Sequence, residues 1–249
     1  MPLLGLIGTP LGHSKSPELF ADIFRQENLV DWEYRLFPLS HINDLTELIE
    51  NQPTLLGLNV TIPYKTDILP LLDYIAPDAL ELGAVNTISI RRQDDKIKLI
   101  GYNTDTYGFE ALLISAKAEK TEKALVLGSG GAAKAVCHVL KKRGIRYTVV
   151  SRNPNKYHIS YADIDYEILR SHLLIINTTP LGMHPNTESF PPIPFQYISS
   201  SHIVIDLVYN PESTLFMEKA TNYGAKAFNG MIMLHKQAEK AWNIFKQEN

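Results

Sequence analysis

The sequence predicts an α/β fold of two domains. Short apolar runs alternate with amphipathic stretches along the whole chain, the pattern of strands covered by helices. The clearest runs, Lys123–Leu127 and Leu173–Asn177, are almost wholly apolar, as parallel strands covered on both faces are. The length, 249 residues, suits two domains or one large one and is enough to bury a core.

Leu3–Gly8 reads as the first strand. Pro17–Asn28 follows as a helix, with Ser16 as N-cap and Pro17 at its first position. Trp32–Leu39 is a strand, His41–Asn51 a helix, Leu55–Ile62 a strand and Lys65–Tyr74 a short helix. Ala84–Ile90 and Lys96–Tyr102 form a hairpin around Gln93-Asp94-Asp95. A helix runs from Thr104 to about Lys117. Lys123–Leu127 is a strand and Gly131–Arg143 a helix ended by Gly144. Tyr147–Ser151, Leu173–Asn177 and Ile203–Leu207 are strands, and Thr214–Tyr223 is a helix. Pro185–Ser201, with four prolines and many serines, reads as a surface loop. Met231–Gln247 is the last helix. The domain boundary falls near residue 103.

The net charge of -3 points to neither nucleic acid nor a membrane surface as the main partner. Cys137 is the single cysteine, so no internal disulfide and no cysteine metal cluster can form. No metal site is expected. The apolar N-terminus has no positive charge before it and reads as a strand and loop, not a signal peptide. No apolar run reaches the roughly 18 residues of a membrane span, so a cytoplasmic location is expected.

One motif points to a ligand. Lys123–Leu127 leads into Gly128-Ser129-Gly130-Gly131-Ala132-Ala133 and then a helix, which fits the dinucleotide fingerprint with alanine in third place. Gly128 permits the tight turn, Gly130 lets the backbone approach a pyrophosphate, and Ala133 lets helix and strand pack closely. The helix N-terminus offers free N–H groups and a partial positive charge. NAD enzymes usually carry an acid about 20 residues further on. No acidic residue occurs from Lys123 through Ala162, and the second strand ends in Ser151-Arg152-Asn153 with Lys156 behind. Arg152 can fork onto a 2′-phosphate that an acid would repel, which favours NADP. A solvated Arg152 and Lys156 on a loop is the plainer alternative.

Polar residues also follow strands in the first half: Ser14 and Ser16, Asn59, Thr61 and Lys65, Asn86, and Asp105. Ligands of open α/β sheets collect at strand carboxyl ends. Hydroxyls, amides, one cation and one anion suit a small molecule with several hydroxyls and a carboxylate. Singly, each has an ordinary reading: Lys65 as a solvated lysine, Ser16 and Asp105 as helix caps, Asn59 and Asn86 as partners of loop backbone.

Together these segments resemble the shikimate dehydrogenase family. Gly8-Thr-Pro-Leu-Gly-His-Ser-Lys-Ser-Pro17, Gly57-Leu-Asn-Val-Thr-Ile-Pro-Tyr-Lys65, Gly83-Ala-Val-Asn-Thr87 and Gly101-Tyr-Asn-Thr-Asp105 resemble four signature segments. Gly128-Ser-Gly-Gly-Ala132, Asn177-Thr-Thr-Pro-Leu-Gly-Met183, Asp206-Leu-Val-Tyr-Asn-Pro211 and Asn229-Gly-Met-Ile-Met-Leu-His-Lys-Gln237 resemble four more, in family order. The resemblance implies an N-terminal α/β substrate domain, residues 1–103, and a Rossmann-type NADP-binding domain, residues 104–230. It implies that the last helix, residues 231–249, returns to the substrate domain. Lys65 and Asp105 match the catalytic pair. Ser14 and Ser16 match the hydroxyls that hold the substrate carboxylate, and Asn59, Thr61, Asn86, Tyr209 and Gln237 match residues around the ring. Gly128 to Ala132 match the pyrophosphate loop, Ser151, Arg152, Asn153 and Lys156 the 2′-phosphate pocket, and Met183, Leu207 and Gly230 the nicotinamide contacts.

Two departures stand out. Thr106 replaces the glycine that usually follows the catalytic aspartate, and Ser151 stands where many members carry Asn. The implied reaction is reversible NADPH-dependent reduction of 3-dehydroshikimate to shikimate, by a monomer or homodimer, within aromatic amino acid biosynthesis. An ammonium group gives up a proton to a developing alkoxide readily, so oxidation should speed up towards alkaline pH while reduction should not. Three rivals are a sibling preferring quinate and NAD, a non-catalytic NADP(H)-binding regulator, and a dinucleotide-binding module with another substrate.

Overall fold

A computed structural model describes residues 1–12, 14–93 and 96–248. Asp94 and Asp95, on which the expected hairpin turns, and His13 lie outside the described residues. The chain divides into two compact units, Met1–Thr104 with Gln237–Asn249, and Asp105–Lys236.

The first unit holds β1 (Leu3–Gly8), α1 (Ser16–Gln26), β2 (Glu33–Pro38), α2 (Leu45–Asn51), β3 (Leu55–Val60), β4 (Tyr74–Ile75), α3 (Pro77–Leu82), β5 (Thr87–Gln93) and β6 (Lys96–Tyr102). Its sheet runs β2-β1-β3-β5-β6-β4. β1 pairs parallel with β2 and β3, and β5 pairs antiparallel with both β3 and β6. β1 is buried at all six positions because both faces are covered. Leu3 and Ile7 join Leu45, Ile49, Leu58 and Ile88 on one face. Leu4 joins Phe20, Phe24, Ala241, Trp242 and Phe245 on the other. Gly57 lies under Phe245, where a Cβ would meet the ring.

The second unit holds α4 (Asp105–Ser115), β7 (Lys123–Leu127), α5 (Gly131–Lys142), β8 (Arg146–Val150), β9 (His158–Ile159), α6 (Tyr166–Ser171), β10 (Leu174–Asn177), β11 (Ile203–Asp206), α7 (Leu215–Asn222) and β12 (Lys226–Phe228). The last helix, α8 (Met231–Glu248), starts in it. Its sheet is wholly parallel, in the order β12-β11-β10-β7-β8-β9. That is the full doubly wound order, with β7 at the switch point. Period-2 alternation sorts the core: Ala124, Val126 and Ile176 face Phe109, Val136 and Leu140, while Leu125, Leu127 and Ile175 face Leu169, Phe195 and Phe216. On α5, Ala133, Val136, Val139 and Leu140 form the buried stripe. Gly144, at φ +72°, follows the C-cap Arg143.

Several expected elements differ. The expected helix Lys65–Tyr74 is absent: turns lead into a 3₁₀ turn, Leu69–Leu71, because Pro70 lacks the N–H that an α-helix needs there, and Tyr74 enters β4. The N-cap of α1 is Lys15, and Ser16 is its first residue. Asp105 is the first residue of α4 rather than the cap before it. Asn86 precedes β5 instead of lying within a strand. Within Pro185–Ser201, Ile193, Phe195 and Ile198 are buried, so this segment packs against the core rather than only covering it.

Candidate functional site

In the first unit the polar residues form two hydrogen-bonded groups, Ser14 with Ser16, and Tyr34 through Asn59 and Asn86 to Gln237. Ser14 Oγ donates to Ser16 Oγ at 3.2 Å and accepts from Ser16 N at 3.2 Å. Tyr34 donates to Asn59 Oδ1 at 2.9 Å. Asn59 Nδ2 donates to Thr87 Oγ1 at 3.2 Å and to the Asn86 carbonyl at 3.4 Å. Thr87 Oγ1 passes the chain to Asn86 Oδ1 at 3.1 Å. Asn86 Oδ1 also accepts from Thr104 N at 2.7 Å, and Asn86 Nδ2 donates to Gln237 Oε1 at 3.3 Å and Thr104 Oγ1 at 3.0 Å.

Thus α8 brings Gln237 to Asn86 across 151 residues of sequence. Asn86, Thr87 and Thr104 are buried, so these bonds replace water. The phenol of Tyr34 is held un-ionised far above its ordinary range, chiefly by burial. Its ring stacks on Phe20 at 4.3 Å between centroids.

Two further residues are fixed through backbone. Thr61 N donates to the Ile7 carbonyl at 2.9 Å, and the Lys65 carbonyl accepts from Val85 N at 2.8 Å. Buried Tyr64, donating to the Leu39 carbonyl at 2.7 Å, anchors the turn beside Lys65. Asp105 and Tyr209 belong to the second unit. Asp105 is buried, and burial raises the Tyr209 phenol pKa. Tyr34, Thr87 and Thr104 were absent from the predicted site. Tyr34 reads as an ordinary aromatic strand residue, and only the register of β1 with β2 and β3 places it near Asn59.

In the second unit, Gly128 turns at φ +108°, and Gly130 caps α5 with no atom within 4 Å of where a Cβ would stand. Gly131 and Ala132 open α5, so its free N–H groups face the loop. Ser129 Oγ and Ser151 Oγ lie 3.1 Å apart, tying the glycine loop to the end of β8. Ser151 also accepts from Asn153 N at 3.3 Å, which shapes the turn carrying exposed Arg152, Asn153 and Lys156. Open space beside Gly130 and two exposed cations after β8 fit a phosphorylated dinucleotide.

The neighbouring loops are fixed from within. Thr178 Oγ1 donates to the Leu127 carbonyl at 2.7 Å, and Asn177 Oδ1 accepts from Thr179 Oγ1 at 2.7 Å. Asn177 Nδ2 donates to Asp206 Oδ1 at 2.9 Å. Leu207 N donates to the Asn177 carbonyl, and Gly230 N donates to the Val208 carbonyl. At Gly230 a Cβ would collide with the Leu207 carbonyl, so the close crossing requires glycine. Met183 is exposed on the turn after β10. Among the described residues no group of three or more His, Cys, Asp or Glu could hold a metal ion, and no helix is long and apolar enough to cross a membrane.

A family model described as the shikimate dehydrogenase substrate binding domain matches residues 6–88. The chain is 38% identical to a shikimate dehydrogenase (NADP(+)) of Methanococcus maripaludis, over 98% of this chain and 90% of the relative. It is similar to the solved structure of shikimate 5-dehydrogenase from Thermus thermophilus in complex with NADP(H) and shikimate. The TM-score is 0.86 at 29% identity, covering 99% of this chain and 94% of the other. A quinate dehydrogenase from Corynebacterium glutamicum in complex with NAD shares the fold at TM-score 0.84 and 26% identity, covering 99% and 94%. The chain belongs to the shikimate dehydrogenase family.

Proposed function

We propose that this protein is an NADP-dependent oxidoreductase that interconverts 3-dehydroshikimate and shikimate. The carrying observation is the array of neutral hydroxyls and amides in the first unit, Ser14 with Ser16, and Tyr34 through Asn59 and Asn86 to Gln237. Such an array suits a rigid ring bearing several hydroxyls and a carboxylate. The assignment of residues 1–103 and the end of α8 to substrate, and of 104–230 to the nucleotide, belongs to this proposal.

NADP, when bound, supplies and accepts the hydride. Gly128 to Ala132 and the α5 N-terminus would hold its pyrophosphate. Ser151, Arg152, Asn153 and Lys156 would hold the 2′-phosphate, and Met183, Leu207 and the Gly230 backbone the nicotinamide. Ser14 and Ser16 donate to the substrate carboxylate. Asn59, Thr61, Asn86, Tyr209 and Gln237 hold the ring hydroxyls. Lys65 Nζ delivers a proton to the carbonyl oxygen as it becomes an alkoxide, and takes it back in the reverse direction. Asp105 accepts from a neighbouring substrate hydroxyl.

A cytoplasmic location and a monomeric or homodimeric state belong to the same proposal. Chromatographic identification of 3-dehydroshikimate after incubation with shikimate and NADP⁺ tests the reading; unchanged shikimate would reject it. Quinate with NAD is the second reading, favoured by the likeness to a quinate dehydrogenase. Against it stand Arg152 and the absence of an acid from Lys123 through Ala162.

A further inference from the structure

The orientation of the Asn59 amide follows from Tyr34. An amide oxygen has no proton, so the phenol must donate to Asn59 Oδ1. The same bond fixes the Asn59 amide, whose NH₂ faces the Asn86 carbonyl and Thr87 Oγ1. Asn59 Oδ1 keeps a second lone pair.

We propose that Tyr34 is a positioning residue for substrate, holding the Asn59 amide so that its carbonyl oxygen reads a ring hydroxyl. The proposal rests on the function given above. Tyr34 donates to Asn59, so Asn59 keeps its carbonyl oxygen available to a substrate hydroxyl and cannot flip to present NH₂. Stacking on Phe20 holds the phenol in place throughout.

Tyr34→Phe keeps the stacked ring and removes only the hydroxyl. Expected is a rise in KM for shikimate of roughly three- to ten-fold, with kcat and KM for NADP⁺ within about two-fold of wild type. In an Asn59→Leu background, which itself raises KM for shikimate, the same change should cost markedly less, because the phenol acts through that amide. An unchanged KM in Tyr34→Phe, or full additivity with Asn59→Leu, overturns the positioning role while wild-type turnover leaves the function standing. Absence of shikimate turnover in the wild type overturns both.

Discussion

The Thr214 hydroxyl donates a 2.6 Å hydrogen bond to Asp206 Oδ2, joining the end of β11 to the start of α7. Asp206 Oδ1 also accepts from Asn177 Nδ2 at 2.9 Å and Val208 N at 3.0 Å. One fully buried carboxylate thus ties together the segments after β10, after β11 and before α7. Burial raises its pKa to about 6, against the downward pull of those three bonds.

This gives Asp206 a defined effect on stability. The folded state binds the proton more tightly than the unfolded chain does. Its contribution is therefore full below about pH 4 and is lost as pH rises through about 6. Relative to Asp206→Asn, the wild type should lose about 3 kcal/mol of unfolding free energy between these limits. Denaturant unfolding across this range checks it; parallel curves would contradict it.

Gly128 and Gly130 should respond differently to alanine. At Gly128 the φ of +108° is unfavourable for a side chain, and a Cβ would stand 2.7 Å from Thr178 Oγ1. Gly128→Ala should cost about 1–3 kcal/mol of stability. At Gly130 a Cβ meets no atom of the chain within 4 Å. Gly130→Ala should fold with a nearly unchanged Tm, yet raise KM for NADP⁺ about ten-fold or more by blocking backbone approach to phosphate. Melting curves and initial rates on the same samples separate the two.

Much of this was legible in the sequence, because it rests on local signals. Glycine spacing after an apolar strand located the tight turn between β7 and α5, and the Ser151-Arg152-Asn153 turn followed from the strand before it. Less legible were features that depend on register or on very short elements. β4, β9 and β12 have two or three residues and show no period. The buried Ile193, Phe195 and Ile198 sit among prolines and serines that suggest surface. Tyr34 becomes a site residue only because β1 lies between β2 and β3.

Arg152 is exposed on the turn after β8. Arg152→Ala should raise KM for NADP⁺ about ten- to hundred-fold, the effect of removing hydrogen bonds to a charged group, and change KM for NAD⁺ little. Equal effects on both cofactors would remove Arg152 from 2′-phosphate recognition.

Lys65 is held by backbone on a turn anchored by Tyr64. Lys65→Ala should lower kcat about 10²- to 10⁴-fold while KM for shikimate changes far less, since proton transfer matters in the transition state. Initial-rate kinetics in both directions measure this split, and an unchanged kcat would exclude Lys65 from the chemistry.

The most direct measurement is absorbance at 340 nm for the purified protein with shikimate or quinate, each with NADP⁺ or NAD⁺. The expected result is rapid NADPH formation from shikimate and NADP⁺, with the other three combinations much slower. Equal or faster turnover of quinate with NAD⁺ would contradict the assignment of substrate and cofactor, and no turnover in any combination would contradict the enzyme itself.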